Sequence, residues 1–467
     1  MFKKKAKNPD KMGLLNLFKW QSSQVSTACN VLILGYFNIF CTDTLLLDPL
    51  IMGILMVVSQ VVSAVAGIFG GYIVDHTNTK IGRGRPFELA QIGMWVCTWL
   101  MFSCPENWQM GVKYVWAFSM YILVTAVFTT LLNSNDVVYM IRAFPSEKVL
   151  IKLNSFGSII TSAVAFIFNI LFPILMATYS HQAGGWGKLA AIFGIPLLAI
   201  GLIRFFTVKE VNNVDVSAQA EGDKLNFKEC VTAISHNKYM LRLSIIALIA
   251  GFVSNLGVGV YYFRYIVGNE GLMGVTAAAT ILALPVMFFV PLLSKKFSIA
   301  RLTLVGYGLM AVNYVIYFFA GANIPLLMLA IILSGIGSLP ASYLGPMLQL
   351  DCATYNEYQG YERMEGTLGS IKGVASRIGS ALGGGAMGVA LSLVAYDPNN
   401  ITPAALTAIR MMASIVPLVL YIVIIILMAG YDLDKRMPEI NKVVEARRAE
   451  AAAKTAAKAK AEGEAQA

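Results

Sequence analysis

The sequence predicts an all-α membrane protein of about a dozen transmembrane helices, and three observations predict it. Of its 467 residues, 57% are hydrophobic and only 13% are charged, where a soluble domain carries roughly 25% charged residues. The mean hydropathy is +0.66. The basic residues also alternate from one inter-span connection to the next, the pattern by which a chain orients itself in a bilayer.

Apolar runs long enough to span fall at 20–42, 48–74, 87–104, 112–135, 153–179, 188–208, 240–267, 272–294, 301–321, 324–350, 366–396 and 405–430. The first follows Lys3, Lys4, Lys5, Lys7, Lys11 and Lys19, and this basic stretch leads into a full span, not into the short apolar core of a signal peptide. Lys80, Arg83 and Arg85 separate the second run from the third, and Arg142, Lys148 and Lys152 the fourth from the fifth. Lys209, Lys224, Lys228 and Lys238 lie between the sixth and seventh, Lys295, Lys296 and Arg301 between the eighth and ninth, and the tail from Lys435 follows the twelfth. The other connections hold little beyond Lys113, Lys188 and Arg264. Both termini are therefore expected in the cytoplasm, with an even number of spans.

The longest interior polar stretch divides the chain into a bundle over 1–208, a cytoplasmic linker over 209–237, a second bundle over 238–432, and a cytoplasmic Ala/Lys/Glu-rich tail over 433–467. Two six-helix halves around a midplane site is a common transporter plan.

A net charge of +10 does not point to nucleic acid here, because the cations sit at membrane connections. Their partner is the lipid bilayer. The cysteines are scattered without a metal-ligand spacing and read as small apolar fillers. His76, His181 and His236 lie in loops without a matched acid and nucleophile, and no phosphate-binding loop is present. An enzyme, a metal site and ATP-driven transport are not expected, and a single chain is expected to act as a monomer.

Residues 70–86 read GGYIVDHTNTKIGRGRP. Gly71 permits close helix approach, and Asp75 is expected to pair with Arg83 or Arg85, or to face a helix N-terminus. Such a cluster suits a latch that forms in one conformation and breaks in another. The segment Asp75 to Pro86 resembles the cytoplasmic signature of the glycoside–pentoside–hexuronide:cation symporters, the melibiose-carrier type within the major facilitator superfamily. Three further segments resemble the same family in the same order. They are Tyr36 and Phe37 through Thr42 and Asp43; YYFRYIVG over 261–268; and DCATYNEY over 351–358 with RMEG over 363–366 and GSALGG over 379–384. The resemblance implies a major facilitator fold of 12 transmembrane helices in two six-helix bundles. It also implies import of a glycoside, pentoside or hexuronide, usually with Na⁺ or H⁺, and no other cofactor.

Where that family carries two cation-binding acids on helix two, this sequence has Ser63 and Gly67, with Gln60 at the preceding basic position. The helix-one acid is replaced by Thr27. Coupling by those carboxylates is not expected. Any metal cation must use neutral oxygens such as Ser59 and Ser63, or an acid such as Glu365, and the lack of a mid-depth acid disfavours a proton. Glu88, Asp136, Asp351 and Glu365 all fall near cytoplasmic helix ends. Asp351 and Glu365 join Asp75, Arg83 and Arg85 as expected gating residues.

Arg377 is the resemblance's basic position on helix eleven, about eleven residues or roughly 16 Å into that span. A guanidinium at that depth needs an anion, carbonyls or water. Either the solute supplies the anion, as a uronide would, or Arg377 lies in a wet cavity around a neutral sugar. Lys372 is shallower on the same helix. Thr27, Gln60, Asn30, Lys372 and Arg377 are the expected solute contacts, because amides, hydroxyls and cations suit a polyhydroxylated or acidic solute. An uncoupled facilitator is the alternative to symport. The glycines of span eleven are expected to allow close packing and sliding.

Overall fold

Backbone hydrogen bonds in a bilayer must be satisfied internally, and helices achieve this segment by segment. A computed structural model describes residues 13–77, 79, 81–144, 147–210, 237–360 and 365–448; the side chains of Asp75 and Glu365, most of the linker and the tail from 449 lie outside that description. Among the described residues the chain is helical throughout, apart from turns and an isolated bridge between Thr79 and Gly82.

In chain order the helices are α1 (Leu14–Thr44), α2 (Pro49–His76), α3 (85–102), α4 (Met110–Ala143), α5 (Glu147–Tyr179) and α6 (Gly185–Thr207). They continue with α7 (Lys238–Val267), α8 (271–293), α9 (Ile299–Ala320), α10 (Ile324–Tyr358), α11 (Glu365–Leu393) and α12 (403–429). Helix resumes over 433–448, the start of the expected tail. Nine described helices are long and apolar enough to cross a bilayer. The others are α3 and α8, each partly 3-10, and α11, whose glycines, Lys372 and Arg377 dilute its apolar character.

Local chemistry places the helix starts. Asp48 accepts hydrogen bonds from the Leu50 and Ile51 amides with Pro49 at the first turn, and Thr402 caps the Ala405 amide ahead of Pro403. Asn237, Ser298 and Asn323 do the same for α7, α9 and α10.

The first helix of each six is built alike. α1 turns at Gly35 and Tyr36 and then winds into a π-helical turn over Phe40–Thr44. α7 breaks at Asn255 to Gly257, where Gly257 takes a left-handed φ of 64°, and winds into a π-helical turn over Phe263–Val267. Such turns alter the direction of side chains and are frequent at functional sites.

α1 packs on α3, α5 and α6, and α2 on α4; α7 packs on α11 and α12, and α9 on α10 and α12. The two sixes meet through α2 with α11 and through α5 with α8. Glycine makes both contacts. A methyl on Gly53 would sit 2.7 Å from the Gly385 carbonyl oxygen, one on Gly388 would overlap the Pro49 carbonyl, and one on Gly274 would overlap that of Ile170. Gly379 and Gly383, on another side of α11, press the same way on Leu248 and Phe252 of α7. Large apolar side chains such as Val115, Ile195, Phe319 and Ile426 are exposed, as a lipid-facing surface requires.

Because α2 and α11 meet backbone to backbone, Gly388→Leu is expected to cost about 1–3 kcal/mol by overpacking. The loss should be read as a lower thermal unfolding midpoint in detergent. An unchanged midpoint would show that these backbones are not in contact.

Candidate functional site

The π-helical ends of α1 and α7 come together at the pole opposite the start of α1. Asp43 from the first and Arg264 from the second form an ion pair of 2.9 Å between Oδ2 and Nη1. Tyr265 donates to the same carboxylate, and Tyr396, just beyond α11, donates to Oδ1 at 2.7 Å. Thr42 and Tyr261 share a hydrogen bond of 2.8 Å. The Arg264 Nε also holds Glu270, which receives the Ser180 hydroxyl at 2.6 Å from the end of α5. The side chains of Asp43, Arg264 and Glu270 are only 4%, 11% and 3% exposed. α1 and α5 of the first six are thus tied to α7 and the segments beside α8 and α11 of the second. Removing one member of such a buried set strands the charges that remain.

Burial would raise the Glu270 carboxyl, but the hydrogen bond and charge of Arg264, helped by Ser180, outweigh it and hold the group below the usual carboxylate range. Burial, and then the negative charge of Asp43, push the Tyr396 phenol well up, so it stays a donor.

Below this latch α2 and α11 continue from their glycine contact. Gln60 lies seven residues after Gly53 and Arg377 eleven before Gly388, so both stay on the stripes that touch at the contact. At the helical rise they sit about 10 and 16 Å from it. Both are exposed, and Arg377 makes no ion pair with any described residue. Gln60 and Arg377, two of the expected solute contacts, are thus both exposed and both lie on the stripes that carry the contact between the halves.

Lys372, on the α7-facing side of α11, lines a cavity of about 410 Å³ within the second six, with Thr303, Tyr307, Ser342 and Ser376. Of the expected solute contacts, Lys372 thus lines a cavity, while Gln60 and Arg377 are exposed.

Thr27 and Asn30 occupy a different setting. Thr27 accepts from Gln91 at 2.9 Å and donates to the Ser23 carbonyl, and Asn30 donates to Thr98 at 2.9 Å. Both are buried between α1 and α3. Ser59 donates to the Leu55 carbonyl and is buried, while Ser63 donates to the Ser59 carbonyl and reaches Thr125 in the π-helical segment of α4.

At the other pole the loop before α3 is clamped within the first six. The backbone amides of Arg83, Gly84 and Arg85 donate to the Glu210 carboxylate at 2.8–3.0 Å. The Arg85 side chain donates to the Phe205 carbonyl at 2.7 Å and lies over the Phe205 ring. The Asp75 and Glu365 side chains lie outside the described residues. Asp351 is half-buried near the end of α10.

Sequence reasoning places Asp43 and Arg264 inside two matched segments without assigning either a role, and passes over Glu270, Ser180 and Tyr396. The available signal is that Arg264 is one of few cations on its side of the membrane and Asp43 one of few acids there. Their pairing, 221 positions apart, is visible only in the fold.

A family model described as MFS/sugar transport protein matches residues 26–435. The isoprimeverose transporter of Lactiplantibacillus pentosus is 26% identical over 438 residues, covering 91% of this chain and 90% of its own length. A putative glycoside/cation symporter, YagG of Escherichia coli (strain K12), is 26% identical over 445 residues, with 91% of each chain covered. The glucuronide carrier protein homolog of the same organism is 23% identical over 420 residues, covering 87% and 89%. Among solved structures, a D-xylose-proton symporter aligns with a TM-score of 0.57 at 14% identity, covering 87% of this chain and 96% of that one. The nucleoside transporter NupG aligns at 0.60 with 11% identity, covering 89% and 99%. These structural likenesses establish the fold.

Arg264→Ala strands Asp43 and Glu270 and should destabilise the closed pole by about 3–5 kcal/mol. In a cysteine-free background, Gln60→Cys should then react faster with an impermeant thiol reagent added from the latch side; an unchanged rate would show that the latch does not govern access. The depressed Glu270 carboxyl stabilises the latch at and above the ordinary carboxylate value of 4.5, and that contribution is lost as pH falls through its lower folded-state value. Expressed relative to a permanently exposed loop cysteine, which corrects for the loss of thiolate at low pH, the labelling rate should thus be flat from neutrality to about pH 4.5 and rise only below it. Glu270→Gln should remove that acid-side rise.

Proposed function

The chain belongs to the MFS/sugar transport protein family, and from that premise we propose that it imports a glycoside, pentoside or hexuronide by alternating access. Its relatives are sugar and glycoside transporters and symporters of multi-pass membrane type. What supports the reading is the meeting of α2 with α11 across the two halves, with exposed Gln60 and Arg377 on the stripes that carry that contact, below the Asp43–Arg264–Glu270 latch. A carrier needs a polar site between two halves that part at one end while meeting at the other. In this reading both termini lie in the cytoplasm of a cell whose inner membrane the chain crosses twelve times, as the basic connections require. The Asp43–Arg264–Glu270 latch then faces outward, and the described state is closed to the outside. One chain contributes both walls, so a monomer suffices.

Transport follows from unequal affinity for the two states, because a ligand shifts an equilibrium only by that difference. Solute bound at Gln60 and Arg377 must therefore weigh against the latch to open the outer pole. Asp351 and Glu365, with the loop of Asp75, Arg83 and Arg85, are the gating groups of the opposite pole. The coupling ion is Na⁺ or H⁺. Ser59 and Ser63 each keep hydroxyl lone pairs for a hard cation.

A second reading, an acidic solute neutralised by Arg377, is favoured by the lack of an ion pair between that side chain and any described carboxylate. Guanidinium grips carboxylate through two parallel hydrogen bonds.

Counterflow in proteoliposomes with isoprimeverose, lactose and a methyl glucuronide, each with and without Na⁺ or a pH gradient, tests both readings. At least one glycoside should exchange, and a cation gradient should drive its accumulation. If the solute is acidic, Arg377→Ala should abolish glucuronide exchange and spare neutral sugars. Exchange of none would overturn the sugar reading, and exchange indifferent to both gradients would identify a facilitator.

A further inference from the structure

The first six helices hold a second charged cluster, away from the cleft and under the loop before α3. Arg204 of α6 is fully buried and takes two carboxylates: Glu88 Oε1 of α3 at 2.7 Å and Asp136 Oδ1 of α4 at 2.5 Å. The Trp20 and Tyr139 rings cover the guanidinium at 4.5 and 5.6 Å. Asn135 donates its amide to Glu88 Oε1 at 3.2 Å. Two acceptors then lack a donor among the described residues, Glu88 Oε2 and Asn135 Oδ1, and both residues are 0% exposed.

The charges facing this cluster are Arg204 and, nearby, Arg85 on the positive side, against Glu88, Asp136 and Glu210 on the negative. Tyr139 is spent on the Val208 carbonyl at 3.0 Å. At Arg204 itself two carboxylates share one guanidinium, an excess of one negative charge on that side chain where an uncompensated ion is costly. A hard metal cation would need several oxygen ligands, and two free ones are present. A proton needs only one oxygen to hold it and one to receive its hydrogen bond.

We propose that Glu88 is a proton-binding site, its Oε2–H donating to Asn135 Oδ1, and that this proton is the ion coupled to solute movement in place of the missing acids on α2. Binding forms one O–H bond, cancels the surplus charge and satisfies both orphaned acceptors. Its loss sets a carboxylate oxygen against an amide oxygen. The loop lies directly on that pair: a methyl on Gly84 would stand 2.7 Å from Asn135 Oδ1. Deprotonation therefore pushes on the segment Arg83 to Arg85 that Glu210 clamps, which links the proton to the pole bearing the loop. The coupling step rests on the symport reading above; the protonation of Glu88 does not.

Infrared difference spectra of the protein in liposomes, recorded across a pH step in H₂O and D₂O, test the site without any solute. Wild type should show a buried carboxylic-acid C=O band that Glu88→Gln removes and the exposed-loop control Glu106→Gln keeps. Asp136→Asn leaves Arg204 with one carboxylate, so Glu88 should ionise and the band should vanish there too. A spectrum of Glu88→Gln superimposable on wild type overturns the site. For coupling, isoprimeverose uptake by Glu88→Gln should no longer respond to an imposed inward proton gradient, whatever rate it retains; a wild-type response would overturn the coupling role. If wild-type liposomes move no glycoside, the sugar reading fails while the infrared band still decides Glu88.

Discussion

The structure depends on pairing charge where water is scarce. Asp43, Arg264 and Glu270 are each largely withdrawn from solvent, and by neutralising one another they tie the two sixes together at that pole. A buried ion network adds little to stability compared with apolar packing, because desolvation offsets most of the attraction. It is directional, however, and strongly penalised when broken in part. Those are the properties of a latch between two states, and the tyrosines around Asp43 sharpen them by using both carboxylate oxygens.

Glycine determines how that latch acts. α11 uses separate faces for separate neighbours: Gly379 and Gly383 seat it on α7, whereas Gly385 and Gly388 seat it on α2. The first contact lies within a half and the second between halves. A helix bound tightly on one side and touching on another transmits a tilt of its half to the contact with α2. Arg377 lies on that second face, so a solute held there, as proposed, would sense the spacing between the halves directly. The contact of α5 with α8 through Gly274 is the counterpart in the repeated plan, and both helices run up to residues of the latch.

The polar residues of the first six show why side-chain type alone is a weak guide inside a membrane protein. Thr27, Asn30, Ser26, Gln91 and Thr98 have the chemistry of a sugar site, yet they bond one another in a seam between α1 and α3. Without water, a polar group on a helix face finds a neighbouring helix first. Gln60 is different because it is exposed on the stripe of α2 that carries the contact with the partner half.

The helical class, the order of the elements, the repeated six-helix plan and the family were legible in the sequence, since composition, hydrophobic run length and linear motifs are properties of consecutive residues. Arg377 and Gln60 stood out in the sequence as candidates, one by its depth and the other by its place in a motif, and both are exposed. The pairing of Asp43 with Arg264 was not, nor that of Arg204 with both Glu88 and Asp136, nor the use of Thr27 as a helix contact and of Arg85 as a clamp on Phe205. Each depends on how two helices are rotated about their axes and how far they tilt. Those angles are set by glycine contacts and π-helical turns whose effect accumulates along a rod, so only the assembled tertiary structure decided them.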